Sequence, residues 1–195
     1  MTDLPNLQCT LWPTGMKPSM KVWAILDCAR DTRIFGAVDG YRGEKCCLYA
    51  GTLPWQLQMA APSLVQLEPD DRFTEFVLRN GWGNSWGIFL HTDTILNHLR
   101  RHLRGFLRVR DQFGRKLLFR YYDPRVLRTY LPSCWKEELE TVFGPIDRFL
   151  MESEDPANLL EFSFDGTRMQ EYSRTLIGQS SETEPTVGSE AAGPG

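Results

Sequence analysis

A nearly continuous apolar run at residues 21–28 (KVWAILDC) restricts the fold of this chain more than any other feature. Its length suits a strand rather than a helix, and its lack of alternation is typical of a buried strand. Residues 86–90 (WGIFL) predict a second buried strand. Strands of this kind need other elements to cover them, so helices are expected beside the sheet.

Capping residues and one-sided apolar spacing predict those helices. Asp31 can cap a short helix, and the Pro-Asp-Asp run ending at Asp71 opens a helix that Gly81 ends. Asp123 followed by Pro124 starts another helix, because Asp is a favoured N-cap and Pro is favoured at the first helical position.

Residues 106–122 carry the clearest hairpin pattern, in which apolar residues alternate with arginines and Gly114 allows a turn with positive φ. Strands alternate with helices through the middle of the chain, and hairpins follow near the end. This order predicts a single-domain α/β fold, with α+β as the alternative, in which a mixed β-sheet is flanked by helices.

Local composition divides the chain into three parts. Residues 1–19 contain three prolines and a glycine and are predicted to be an irregular lead-in. Residues 20–176 form the predicted domain. Residues 177–195 are mostly Ser, Thr, Glu, Gly and Pro with little apolar content, a composition that predicts a disordered tail.

Overall charge and targeting signals restrict the location and partners. The chain has 195 residues and a net charge of −3, so it does not have the charge of a nucleic-acid-binding protein. No signal peptide or membrane-length apolar segment is recognisable, and we expect no membrane partner. The five cysteines form no CxxC pair, which favours reduced thiols and a cytoplasmic location.

A basic segment at residues 100–128 contrasts with the acidic remainder. Its ten basic and two acidic residues give it a charge of +8, which leaves −11 elsewhere. Such a face can steer the protein towards an acidic partner surface. The alternative is a solvated face whose ion pairs contribute little. Nucleic acid is a weaker alternative, because the rest of the molecule would repel phosphate.

Two histidines, His98 and His102, stand four residues apart on a predicted helix, a spacing that can present two metal ligands. No HExxH glutamate accompanies them, and the arginines on that helix disfavour a dication. We therefore expect neither a metal site nor a cofactor, since no Walker, GxGxxG or GxSxG motif is present either.

A cysteine hydrolase is the enzymatic alternative. Residues 84–87 (NSWG) match the run around the orienting asparagine of papain-like proteases, and Cys134 lies in a run similar to their nucleophile region. The order along the chain is wrong for that family, because Asn84 comes first and Cys134 last. We therefore expect no catalytic residues and no enzyme activity.

Residues 119–127 (FRYYDPRVL) closely resemble the signature of the type VI secretion effector adaptor family. Residues 24–30 (AILDCAR) resemble its opening strand, with Cys28 in place of a glycine. Residues 61–65 (APSLV) resemble a further stretch, with Ser63 in place of a tyrosine. Together with shorter matches in the family's order, the resemblance spans residues 22–146.

The resemblance implies a non-enzymatic role. Members of that family bind the N-terminal region of a toxic effector and load it onto the VgrG-type spike protein of a bacterial type VI secretion system. The cognate effector and the spike protein are therefore the expected partners. Many members carry an additional C-terminal lobe, whereas here the sequence ends shortly after the core.

Candidate contact residues come from the basic segment and the signature. Arg120, expected on a strand, can pair bidentately with a carboxylate such as Asp27 or Asp39, either within the chain or across to a partner. Asp123 is expected to cap a helix in addition. The predicted partner-binding residues are Arg101, Arg104, Arg108, Arg120, Asp123 and Arg125.

Overall fold

A computed structural model describes residues 3–110 and 113–176. Its strands are β1 (Lys21–Asp27), β2 (Lys45–Cys47), β3 (Pro62–Leu67), β4 (Gly87–Thr92), β5 (Arg108–Arg110), β6 (Lys116–Leu118), β7 (Arg148–Glu152), β8 (Asn158–Phe164) and β9 (Met169–Thr175). Its helices are α1 (Leu4–Leu11), α2 (Thr32–Gly40), α3 (Trp55–Met59), α4 (Arg72–Gly81), α5 (Leu96–Arg104), α6 (Pro124–Tyr130) and α7 (Lys136–Phe143). A 3₁₀ turn (Leu131–Ser133) joins the last two helices.

Seven of these strands form one sheet in the order β2-β3-β1-β4-β7-β8-β9, and β5 pairs with β6 in a separate hairpin. Every pair of neighbouring strands is antiparallel. The predicted single domain with a sheet flanked by helices is confirmed, in the antiparallel form that the α+β alternative describes. The short strand β2 lies at one edge of the sheet and β9 at the other.

Two cores, one on each face of the sheet, explain the apolar run of β1. Trp23 and Ile25 pack with the leucines of α5 and with residues of α6 and α7. Val22, Ala24 and Leu26 point the other way and pack with α1, α2 and α4. Because successive side chains of a strand alternate between faces, a strand covered on both sides must be apolar throughout.

The capping predictions are confirmed. Asp31, Asp71 and Asp123 each accept a hydrogen bond from a backbone N–H in the first turn of α2, α4 and α6, at 2.9, 2.7 and 3.0 Å. The N-cap side chain thereby satisfies one of the donors that the first helical turn leaves without a partner.

The N-terminal lead-in is not irregular, so that prediction was wrong. Residues from Leu4 to Leu11 form α1, which Asp3 caps, and both Leu7 and Leu11 are completely buried in the core. Pro5 falls in the first turn of this helix, where its missing N–H costs nothing, so it starts the helix rather than breaking it. The predicted tail, residues 177–195, lies outside the described residues.

The predicted hairpin is shorter than expected. Strand β6 ends at Leu118, and a backbone hydrogen bond of 3.0 Å from the N–H of Asp123 to the carbonyl of Arg120 closes a turn before α6. Arg120 therefore lies in a turn and not on a strand, because the chain must change direction to reach the Asp123 cap. Within the described residues, no helix has the length and apolar character needed to cross a membrane.

Candidate functional site: a charged cluster and an apolar groove

Residues from the two ends of the family-like region meet at the end of β1. The side chain of Arg120 forms an ion pair with Asp27, whose carboxylate is 1% exposed, whereas the Arg120 side chain is 43% exposed. The other oxygen of Asp27 accepts a hydrogen bond of 3.2 Å from the backbone N–H of Ala29. Of the two carboxylates that the sequence offered as partners of Arg120, Asp27 forms the pair, within the chain and through Nη2 of Arg120.

Asp123 and Arg125 form a second ion pair beside the first. The carboxylate oxygens of Asp123 accept hydrogen bonds from Nε and Nη2 of Arg125 at 2.9 and 2.6 Å. Burial acts to raise the pKa of Asp123, but the hydrogen bonds from the side chain and backbone of Arg125 outweigh it, so this pKa lies below its usual value. Asp123 is therefore ionised at neutral pH and faces inward, while about half of the Arg125 side chain remains exposed.

Two tyrosines join this cluster to its surroundings. The ring of Tyr122 is buried, its centroid lies 5.9 Å from the guanidinium of Arg120, and Tyr49 packs against the same core. Burial raises the pKa of Tyr122 well above its usual value, so it stays protonated. The hydroxyl of Tyr121 donates to the carbonyl of Leu103, at 2.9 Å, near the end of α5.

The cluster has a structural role and is not a site of proton transfer. Ion pairs hold Asp123 in its charged form, and burial holds Tyr122 in its neutral form, so neither changes protonation near neutral pH. The contacts of the cluster hold the segment before α6 against the end of β1 through Arg120 and against the end of α5 through Tyr121.

The six predicted partner-binding residues fall into two groups. Arg120, Asp123 and Arg125 belong to the charged cluster. The others lie on α5 and the hairpin, where Arg101 and Arg108 are exposed and Arg104 is half-buried. Across residues 3–110 and 113–176, none of these last three arginines forms an ion pair. Their charge is therefore available to a partner.

An apolar groove lies beside Arg104 and Arg108, and sequence reasoning missed it. Its cavity measures about 240 Å³, and it is lined by Leu48, Tyr49, Ala50, Leu53, Leu57, Arg104, Leu107, Arg108 and Leu118. The lining comes from the segment after β2, from α3, from the end of α5 and from the hairpin. One signal was present in the sequence, since Trp55 and Leu57 are large apolar residues in a stretch of 50–60 with no strong strand or helix pattern.

The histidines do not form a pair. His98 is exposed, whereas Nε2 of His102 lies 2.9 Å from the carbonyl of Val142, where it joins α5 to α7. His91 is buried, with Nε2 2.8 Å from the carbonyl of Leu11 at the end of α1. No group of three or more His, Cys, Asp or Glu side chains within the described part of the chain is arranged to hold a metal ion.

Cys134 has a backbone partner and no base. Its thiol donates to the carbonyl of Tyr130 at 3.4 Å, and across the described residues no histidine hydrogen-bonds to it. Burial is the main cause that raises the pKa of this thiol above its usual value. Burial also raises the pKa of Cys28 and of Cys46 to about 11. Thiols of this kind remain protonated at neutral pH and are poor nucleophiles.

The run NSWG has a structural role that involves a buried carboxylate, Glu152, which sequence reasoning did not single out. Its oxygens accept hydrogen bonds from the backbone N–H groups of Gly83 and Ser85 at 2.5 and 3.0 Å, and from the Ser85 hydroxyl at 3.0 Å. These bonds stabilise Ser85 at a positive φ of 54°. The side chain of Asn84 donates to the carbonyl of Asn80 at 2.8 Å, so it orients no histidine.

Comparison with known proteins places this arrangement in a family. Comparisons with curated proteins and with solved structures give no significant match. A family model matches residues 22–141, a region that contains Asp27, Arg120, Asp123 and Arg125 and every lining residue of the groove. The chain therefore belongs to the family described as Domain of unknown function (DUF4123).

Proposed function

We propose that this chain is a cytoplasmic adaptor chaperone, which binds the N-terminal region of a toxic effector and loads it onto the VgrG-type spike protein of a bacterial type VI secretion system. The observation that carries the proposal is the convergence of the signature residues. Asp27 meets Arg120, Asp123 and Arg125, which follow it by more than 90 residues, in one cluster inside the matched region. These are the residues on which the resemblance to the effector adaptors rests.

Binding rather than catalysis accounts best for the chemistry of the cluster. Its charges are already paired, and Cys134 has neither a base nor a lowered pKa. Arg104 and Arg108, which form no ion pair among the described residues, line the apolar groove. Surfaces that combine arginine with exposed apolar side chains are typical of protein interfaces. The net charge of −3 favours a protein partner over nucleic acid.

Co-purification tests the proposal. The chain, carrying an affinity tag, is co-expressed with the toxin encoded beside its gene, and separately with the neighbouring spike protein. We expect the toxin to become soluble and to co-purify, and the N-terminal region of the toxin to be sufficient for capture. Failure of the folded chain to capture either protein would contradict the adaptor role.

A Cys134→Ser variant separates binding from catalysis in the same assay. Because the thiol only donates to a backbone carbonyl, the hydroxyl can replace it, and we expect unchanged capture and delivery. Loss of delivery by a folded Cys134→Ser protein would favour the cysteine hydrolase alternative instead.

A further inference from the structure

The apolar groove has the features of a docking site. Leu48 and Leu107 are buried at its base, and Leu57 and Leu118 are 43% and 49% exposed along its walls. Both exposed leucines border the same cavity. An apolar concavity rimmed by polar groups on a folded domain marks a site of interaction.

Helix α3, which forms one wall, buries none of its residues. Trp55 at its start is 60% exposed and touches the protein through an edge contact with Phe35, at 5.4 Å between ring centroids. A helix of five residues gains little stability from its own hydrogen bonds, so it depends on packing. A partner bound in the groove can supply the packing that α3 lacks within the chain.

The hairpin brings positive charge to the opposite wall. Arg108 faces Leu118, and Arg110 faces Lys116, so all four side chains lie on one face of the hairpin. Arg104 on α5 borders the same cavity. Among the described residues neither Arg104 nor Arg108 has an acidic partner, and guanidinium groups bind carboxylates bidentately. The groove is thus complementary to a ligand that is both apolar and acidic.

We propose that this groove binds an acidic amphipathic segment in the N-terminal region of the effector. Aliphatic side chains of that segment fill the cavity between Leu57 and Leu118, and its carboxylates pair with Arg104 and Arg108. This inference rests on the proposed adaptor function and adds to it the site and the chemistry of the captured segment.

The charged cluster supports the groove through Tyr49. This residue lines the groove and packs against the core that contains Tyr122, whose ring lies beside the Arg120 guanidinium. The charged cluster at the end of β1 thereby helps to position one wall of the groove. A preformed site loses less conformational entropy on binding than one that must be ordered.

The experiment measures capture of the N-terminal region of the toxin encoded beside this gene by four variants and the wild type. The groove variants are Arg104→Glu with Arg108→Glu, and Leu57→Ser with Leu118→Ser. A charge-matched control, Arg42→Glu with Arg72→Glu, makes the same charge change on exposed side chains near α2 and α4. An apolar control, Ile95→Ser, removes a side chain that is 59% exposed and lies outside the groove.

We expect each groove variant to weaken capture by about tenfold or more, the equivalent of roughly 1.4 kcal/mol, while both controls bind like the wild type. Thermal melts of all four variants check that the proteins are folded. Undiminished capture by folded groove variants would overturn the groove while leaving the adaptor function in place. An equal loss in the charge control would also overturn it, because overall charge would then explain the effect. A wild type that captures nothing would remove the adaptor function itself.

Discussion

The guanidinium of Arg120 forms an ion pair with the carboxylate of Asp27, 93 residues earlier in the chain. Asp27 ends the interior strand β1 and is buried, so its charge needs a partner. Arg120 supplies that partner from the turn between the hairpin and α6. The pair therefore connects the end of β1 to the segment that follows the hairpin.

Removing Arg120 is expected to destabilise the protein. Arg120→Ala leaves the buried Asp27 carboxylate without its charged partner, and we expect a loss of about 1–3 kcal/mol in the free energy of unfolding. The value lies below that for a fully buried pair because the guanidinium is 43% exposed. Urea titration measures it, and Arg42→Ala, which removes an exposed arginine, should change stability by less than about 0.5 kcal/mol.

A double-mutant cycle identifies the source of that loss. In an Asp27→Asn background the buried charge is absent, so Arg120→Ala should cost clearly less than in the wild type. Equal costs in the two backgrounds would mean that Arg120 contributes through packing and not through its pairing with Asp27.

The Asp123 carboxylate makes part of the stability dependent on pH. Its pKa is lower in the folded protein than in the unfolded chain, so the unfolded state binds more protons between the two values. The stabilisation is complete above the unfolded pKa of about 3.9 and is lost as the pH falls through the folded value. Asp123→Asn keeps the cap without the charge, so the stability difference between it and the wild type should shrink from pH 7 to pH 3.

The cap itself is tested by a second substitution at the same position. Asp123→Ala at pH 7 removes the acceptor for the backbone N–H of Arg125 and should cost about 0.5–2 kcal/mol more than Asp123→Asn. Chemical denaturation at neutral pH measures the difference. Equal stabilities of the two variants would show that the cap contributes nothing beyond the charge.

Helix α1 is expected to be an integral part of the core. Leu7→Ala removes a fully buried side chain and should cost about 2–5 kcal/mol, measured by urea unfolding. Cys9→Ser lies on the exposed side of the same helix and should cost less than about 0.5 kcal/mol. A negligible effect of Leu7→Ala would instead agree with the irregular lead-in predicted from the sequence.

Features encoded by local patterns were predictable from the sequence, and features assembled from distant segments were not. The run at 21–28 predicts β1 because burial on both faces demands apolar residues throughout. The Asp caps of α2, α4 and α6 depend only on residues two positions apart. Helix α1 was not predicted because proline favours the first turn of a helix but disrupts the middle of one, and the sequence alone did not show which of these positions Pro5 occupies.

The candidate site likewise contains features that the sequence could predict and features that it could not. The sequence offered Asp27 and Asp39 as partners of Arg120 and could not choose between them, and it did not predict the position of Arg120 in a turn. The groove could not be predicted from the sequence, because its lining comes from four segments whose proximity depends on tertiary packing. The exposure of Leu57 and Leu118 likewise appears only once the chain is folded.

Thiol labelling tests the reactivity of the cysteines. Cys9 is exposed, whereas burial raises the pKa of Cys28 and of Cys46 to about 11. Because the thiolate is the reactive form, these two buried thiols should react with a disulfide reagent at pH 8 more slowly than the exposed thiol of Cys9. Cys9→Ser should remove the fast phase, which mass spectrometry can assign. A fast phase at Cys134 would contradict its raised pKa and reopen the hydrolase alternative.

The basic side of α5 is expected to govern the rate at which the effector associates. Arg101 is exposed and Arg104 borders the groove, and exposed charges at an interface act mainly on association, with screening over roughly 8 Å at physiological ionic strength. Arg101→Glu with Arg104→Glu should therefore slow association with the N-terminal region of the effector. Raising NaCl from about 50 to about 500 mM should slow association of the wild type as well and reduce the difference in rate between the two proteins.

Biolayer interferometry measures both association rates, with Arg42→Glu plus Arg72→Glu as the charge-matched control. Undiminished, salt-independent association of the folded double variant would exclude the basic residues of α5 from the interface, and the contact would then have to be apolar.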